Sequence, residues 1–446
     1  MPLACAGGAR CVCQEANLVT QTQIKDDLFL PLAPRSVEET GISMGMLSDL
    51  AIKTFYFESY LSGRDLALRM GLPFANVVSV VLEFLRREKL CEVRSATGRG
   101  GFSESTYEYV LTDRGRDMAR EALERGQYVG PVPVPLKSYI ASVHQQGLRD
   151  VVVHQRQLRK AVSHLVFSET TFEQIGPAVN SGRSIFLFGP PGNGKTSLAE
   201  AIGSLLMEGD VYIPYAVEVE GQVIKIFDDV NHVTVEESQA HRVDTRWIRI
   251  QRPFIVVGGE LTMEGLDLVY NNDFKYYEAP FQIKANCGIF LIDDFGRQTV
   301  RPTDLLNRWI VPLEKRIDFM TLHTGRKFEV PFEVLIVFST NLEPRELVDE
   351  AFLRRIRHKI EVQDPSWEEF AEIFRRAADA KQIPFSEQAL AYLIREHYIK
   401  TKRPPRACHA RDLLDQIIDI SSYLSVSPSL SKELIDRAAF SYFVDV

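Results

Sequence analysis

No run in the sequence approaches the roughly 18 consecutive apolar residues that a membrane-spanning helix needs, and its 446 residues include only six cysteines and three tryptophans. The first absence argues against membrane insertion. The second argues against a disulfide framework, since so few and scattered cysteines cannot staple a chain of this length. Cys5, Cys11 and Cys13 are close enough to suggest a metal site, but no histidine partner or second paired motif follows them, so a reduced tail is expected. Basic residues are not in excess either. The 52 Lys and Arg against 60 Asp and Glu give a formal charge of −8, which excludes a protein that coats nucleic acid over its whole surface and still permits one basic face. The opening Met-Pro-Leu-Ala-Cys lacks a basic region followed by an apolar one, so a cytoplasmic location is expected.

What is present is ordinary globular composition, 45% hydrophobic and 25% charged, in a length that suggests about two to four domains. Residues 1–40 scatter Gly, Pro, Thr and Gln with no sustained period and read as a flexible arm. From 41 to 128 three runs carry apolar residues at helical spacing: LSDLAIKTFYF, GRDLALRMG and FANVVSVVLEFLRREKL. An alternating segment with a Gly-rich tip, CEVRSATGRGGFSESTYEYVLT, and a last helix, DRGRDMAREALER, complete a winged-helix domain. Residues 129–160 contain GPVPVP, which cannot continue a helix and reads as a Pro-rich linker and bridging segment. Residues 161–363 alternate helical stretches with the short apolar runs IFLF, FIVV, IFLI and VLIVF, the mark of buried parallel strands in an α/β core. Within it, the β-branched alternation of VYIPYAVEVEGQVIKIF reads as an accessory β insertion at 211–250. Residues 364–446 are helical throughout, beginning with a capping box from Ser366 to Glu369.

The chemistry concentrates at GPPGNGKT, directly after IFLF and before a helical stretch. Gly189, Pro190, Pro191, Gly192, Asn193, Gly194, Lys195 and Thr196 fit the phosphate-loop pattern, and Ser197 follows in the first helical turn. Glycines let backbone N–H groups close around phosphate oxygens, Lys195 reaches the terminal phosphates, and Thr196 offers a hydroxyl to magnesium. The strand IFLI ends in Asp293, placed to hold that magnesium, and Asp294 follows where a water-activating base belongs. Asp294-Phe295-Gly296 also mimics a kinase signature, but no kinase catalytic-loop sequence precedes it.

With these parts in place, residues 160 to 446 resemble the AAA+ ATPases. The resemblance implies an α/β P-loop core with a C-terminal helical lid, ATP and Mg2+ as ligands, and ATP hydrolysis. It implies that Asn341, at the end of VLIVFST, is the first sensor, and that Arg354 or Arg355, in LVDEAFLRRIRHKIEV, is an arginine finger reaching a neighbouring subunit. In CHARDLLDQI, Arg411 is the implied second sensor, with Arg406 as an alternative register. A finger acting between chains implies a homo-oligomeric, most simply hexameric, ring with an unidentified protein client. The stretches EAPFQIKANCGIFLIDD and FMTLHTGRKFEVPF are similar to segments of magnesium chelatase subunits and bacterial enhancer-binding activators, including a hairpin before the first sensor. Bacterial chaperone-like ATPases predicted to serve Flp pilus assembly are also similar. One residue departs from the family pattern: Asp294 stands where a glutamate is usual, shorter by one methylene.

Two surfaces invite partners. Phe274, Tyr276 and Tyr277 lie in an otherwise polar segment, so they either grip a polypeptide in a ring pore or pack their own loop down. In the winged helix, Arg86, Arg87, Lys89, Arg94 and Arg99 are placed for DNA phosphates, but Glu83, Glu88, Glu92 and Glu104 interleave with them. DNA binding and protein docking therefore both remain open for this domain.

Overall fold

The computed structural model describes residues 29–95, 104–148, 151–207, 209–236, 243–347 and 353–443. Cys5, Cys11, Cys13 and Arg99 lie outside these segments. Among the described residues, no single helix is long and apolar enough to cross a membrane.

The N-terminal unit runs α1 (Met44–Glu58), β1 (Leu61–Ser62), α2 (Gly63–Met70), α3 (Ser79–Arg87), β2 (Cys91–Ser95), β3 (Glu108–Leu111) and α4 (Asp113–Arg125). Helix starts are set locally: Ser43, Ser62 and Thr112 accept hydrogen bonds from the backbone N–H of Met46, Asp65 and Gly115. The three strands pair antiparallel in the order β1-β3-β2. Leu47, Leu66, Met70, Val81 and Leu85 fill the centre. The third helix is shorter than its apolar pattern suggests, because Ala75 is extended and Asn76 is left-handed at φ 62°, which delays regular helix to Ser79.

The chain continues through β4 (Val134–Pro135), α5 (Leu136–Gln146), α6 (Gln155–Ala161), α7 (Glu169–Asn180), β5 (Ile185–Phe188) and α8 (Lys195–Leu206). Accessory strands β6 (Asp210–Pro214), β7 (Ala216–Val219), β8 (Gln222–Lys225) and β9 (Trp247–Gln251) precede β10 (Phe254–Val257). Then come β11 (Val269–Asn271), β12 (Tyr276–Glu278), α9 (Phe281–Lys284), β13 (Ile289–Ile292), α10 (Pro302–Arg308) and α11 (Ile310–Lys315). A hairpin of β14 (Ile317–Thr321) and β15 (Lys327–Pro331) leads to β16 (Leu335–Thr340), α12 (Pro344–Leu347) and β17 (His358–Glu361).

The central sheet is β10-β13-β16-β5-β17, with every pair parallel. Alternation along the strands divides its side chains between two cores. Leu187, Leu291 and Val337 pack with Leu198 and Ile202 on one face, while Phe186, Phe290 and Phe338 pack with Trp309 and Phe332 on the other. β5 is first of the five in sequence yet lies between the fourth and the fifth. That reversal opens a crevice at the C-terminal strand ends, where ligands of open α/β sheets bind.

The accessory layer extends beyond the insertion expected at 211–250. It is a five-stranded sheet, β11-β12-β8-β7-β4, beside an antiparallel β6-β9 ribbon. Val134 and Pro135 of the Pro-rich segment supply its edge strand, the position where a residue without an N–H is tolerated. Part of the segment read as an arm is held here too. Phe29 packs edge-on against Trp247 at 5.3 Å, and the Asp244 N–H donates to the Pro31 carbonyl at 2.9 Å. The lid comprises α13 (Trp367–Ala380), α14 (Glu387–Leu393), α15 (Ala407–Leu424) and α16 (Lys432–Tyr442) around Phe370, Phe374, Leu414 and Ile417. Its capping box is present, with Ser366 and Glu369 each accepting the other's backbone N–H.

Candidate nucleotide-binding site

The loop 189–194 leaves the end of β5 and enters α8 through three glycines with positive φ: Gly189 at 132°, Gly192 at 82° and Gly194 at 83°. Two of them also lack room for a side chain. A Cβ on Gly189 would lie 2.4 Å from the Val362 carbonyl oxygen, and one on Gly192 would lie 2.3 Å from Cys408 Sγ. Glycine is therefore required by conformation and by close approach together.

Lys195, at the first position of α8, is 6% exposed. Its ammonium donates to the Gly189 carbonyl at 3.0 Å, the Pro190 carbonyl at 2.8 Å and Asn341 Oδ1 at 2.7 Å. Burial holds its pKa below the usual lysine value; Asp293 and Asp294 oppose that shift and Arg406 adds to it. One residue on, Thr196 Oγ1 donates to Asp293 Oδ2 at 2.9 Å. Asn341, beyond the end of β16, donates through Nδ2 to Asp294 Oδ1 at 3.1 Å. Asp294 itself is exposed and left-handed at φ 49°. The neighbouring Gln298 donates to the Asp293 carbonyl at 3.0 Å and accepts from the Gly296 N–H at 2.8 Å, which fixes the turn carrying both aspartates.

A continuous hydrogen-bonded line thus runs from the loop lysine through Asn341 to Asp294, with the Thr196–Asp293 pair beside it. The residues suit a phosphate chain and a hard cation. Lys195 supplies charge, the loop supplies N–H groups at a helix start, and Thr196 with Asp293 offers the hydroxyl and carboxylate oxygens that magnesium prefers. The loop follows the first strand of the core, the acidic pair follows the third, Asn341 follows the fourth, and a helical lid comes last. The core has the AAA+ fold.

A family model described as a domain of unknown function, DUF8689, matches residues 366–441, the lid helices. Among curated proteins none matches. Similar solved structures include a variant of RuvB from Thermotoga maritima, 16% identical over 65% of this chain and 74% of that one, with a TM-score of 0.39. The Thermotoga maritima RuvB Holliday junction branch migration motor is 15% identical over 65% and 74%, with a TM-score of 0.37. NtrX from Brucella abortus in complex with ATP is 16% identical over 74% and 64%, with a TM-score of 0.38.

The lid touches the phosphate loop directly. Asn193, 3% exposed, donates through Nδ2 to Asp364 Oδ1 at 2.7 Å and accepts the Ala407 N–H at 3.2 Å. The Cys408 N–H donates to the Gly192 carbonyl at 2.8 Å. The start of α15 therefore rests on the loop and carries Arg406 close enough to influence Lys195. Arg411 lies further along that helix, 70% exposed, with Nε on Asp412 Oδ1 at 3.1 Å. The structure thus brings Arg406 to the loop and does not bring Arg411 there. Asp364, Gln298 and Cys408 carry no sequence signal of their own; their roles arise from contacts across the fold.

Arg354 and Arg355 are not part of this cluster. They line a separate cleft of about 670 Å3 with Arg183, Glu314, Arg357 and Lys359, and Arg355 Nε donates to Glu314 Oε1 at 2.5 Å. The aromatic segment divides between the two options: Tyr277 is packed down at 1% exposed, Tyr276 is half-buried and meets Tyr128 at 5.9 Å, and Phe274 stacks on Tyr276 at 6.0 Å but stays 49% exposed. In the N-terminal unit, Arg94 lies over the Tyr60 ring at 5.0 Å, and Arg87 lies over Phe84 at 5.4 Å.

Proposed function

We propose that the protein binds ATP with magnesium, hydrolyses it as a ring-forming cytoplasmic motor, and uses the cycle to move its lid and N-terminal winged helix against a protein partner. The observation that carries this reading is the unbroken line Lys195–Asn341–Asp294 beside Thr196–Asp293. Lys195 releases its carbonyl and amide partners to take the terminal phosphates. Thr196 and Asp293 would hold magnesium, which would supply charge to neutralise the phosphates. Asp294 accepts the proton of the attacking water, and Asn341 orients that water once it leaves the lysine. Arg406 enters from the lid, so a change at the phosphates reaches α15 through Gly192 and Asn193.

Arg354 or Arg355 serves the nucleotide of a neighbouring copy, stabilising charge in the transition state. Their place in a basic cleft away from the chain's own loop supports this role, and six copies is the stoichiometry the family resemblance implies. The β14–β15 hairpin before Asn341 supports the pre-sensor-hairpin branch. A protein client is favoured over DNA, because Arg87 and Arg94 are engaged with rings of the domain itself.

Phosphate release and particle mass test the reading together. Wild type should turn over, should gain mass toward a hexamer with ATP, and should lose roughly 100-fold or more of its rate in Lys195→Ala. Equal rates in both proteins would reduce the site to a nucleotide-gated switch or less. Tight, salt-sensitive binding of duplex DNA at two salt concentrations would move the winged helix to the regulator reading.

A further inference from the structure

The seam between the N-terminal unit and the accessory sheet encloses a cavity of about 500 Å3. Its walls come from α1, the end of α4, the β7–β8 turn and the β11–β12 turn. Lys53 of α1 lines it and is only 6% exposed. The ammonium has three donors. One goes to the Gly126 carbonyl at 2.9 Å, and among the described residues the other two have no protein acceptor. The carboxylate on the same face, Asp49, is committed to Arg125 at 2.8 Å.

Burial is the main cause that lowers the Lys53 pKa, to about 8; Asp49 opposes the shift and Arg125 adds to it. A cation is thus kept where the surroundings disfavour it, against a cavity large enough for a small molecule. Buried charge beside such a cavity is the pattern expected of a binding site. Capping the C-terminus of α4 accounts for one of the three donors and leaves the other two unexplained.

The lining indicates what fits. Lys53, Arg125 and Lys275 face Asp49 and Glu218, an excess of one positive charge. Lys275 is likewise held by one carbonyl, that of Glu124 at 2.6 Å, but is less buried, and Glu218 is anchored on the Gly221 N–H at 2.6 Å, so Lys53 is the buried cation of the cavity. Met46, Leu50 and Tyr276 provide the apolar wall. We propose that this cavity binds a small organic carboxylate, its charge on Lys53 and its flat apolar body against Leu50 and Tyr276. Such a ligand bridges the N-terminal unit and the accessory sheet and tethers the two. The proposal does not depend on ATP turnover.

Benzoate, with neutral isosteric benzamide as control, is the probe. Calorimetric titration of the full chain should show benzoate binding, roughly 10-fold or more weaker in Lys53→Met, with benzamide weak in both. No benzoate uptake up to about 10 mM, or equal benzoate affinity in the two proteins, would overturn the proposal. A second measurement needs no variant. Reductive methylation of wild type, read by peptide mass, should label Lys53 more slowly with benzoate present and at an unchanged rate with benzamide; equal labelling in all three conditions would also overturn it.

Discussion

Replacing Gly192 by alanine tests the contact between loop and lid on which the coupling depends. The backbone there has φ 82°, which costs an L-residue about 1–2 kcal/mol. The new Cβ would lie 2.3 Å from Cys408 Sγ and 3.2 Å from Cys408 Cβ, so the start of α15 must retreat. That movement strains the hydrogen bond from the Cys408 N–H to the Gly192 carbonyl, at 2.8 Å, and the one from the Ala407 N–H to Asn193 Oδ1, at 3.2 Å. At about 0.5–1.5 kcal/mol for each bond, the total loss is about 2–5 kcal/mol. Urea unfolding should show that loss of stability, and titration with a fluorescent ATP analogue should show weakened binding, because the displaced lid start no longer seats the loop. The discriminating step is to repeat the change in a Cys408→Ala background. Removing Sγ relieves the closest clash, so Gly192→Ala should then cost little beyond its backbone strain, about 1–2 kcal/mol. An identical loss in both backgrounds would refute the claim that α15 rests on the phosphate loop.

Asp294→Ala should lower phosphate release about 10²–10⁴-fold while leaving ATP affinity nearly unchanged; a parallel loss of binding would make Asp294 a structural residue. His409 is 7% exposed, and burial is the main cause that depresses its pKa, to about 4. Its folded value lies below the unfolded one, near 6.5, so stability is fully present above about pH 6.5 and is lost as pH falls toward 4, by about 3 kcal/mol at the limit. Urea midpoints across that window should fall less steeply in His409→Gln, and parallel slopes would contradict the assignment. Arg246 pairs with Asp244 at 2.8 Å, both 5% exposed or less. Arg246→Ala should therefore cost about 3–5 kcal/mol by leaving a buried carboxylate unpaired, and an unchanged urea midpoint would contradict that.

Four of the five sheet strands were legible because each is a short apolar run, and the phosphate loop because its residues are contiguous; β17 was not legible, since HKIE buries only Ile360. IFLI with Asp293 and VLIVF before Asn341 could be placed by the same signal, and the fold brings their ends to Lys195. Long-range geometry was not legible. Asn193 meets Asp364 across 171 residues, and no local pattern marks that aspartate. Arg406 precedes α15 beside the loop and Arg411 lies on its exposed side, a phase set by packing of Leu414 and Ile417 into the lid core rather than by charge. Val134 and Pro135 read as linker because proline punctuates chains; they become an edge strand only because β7 lies alongside. The polar neighbours of Tyr276 leave open whether it grips or packs; its edge-on contact is with Tyr128, far away in sequence.

The central claim is that two copies share one catalytic site, and phosphate release from mixed chains tests it most directly. Lys195→Ala retains its arginines, while a chain carrying both Arg354→Ala and Arg355→Ala retains its phosphate loop. Each should be inactive alone. An equimolar mixture should recover about a quarter of the wild-type rate, because that fraction of seams pairs an intact loop with an intact finger. A mixture no more active than the sum of its two components would contradict the account.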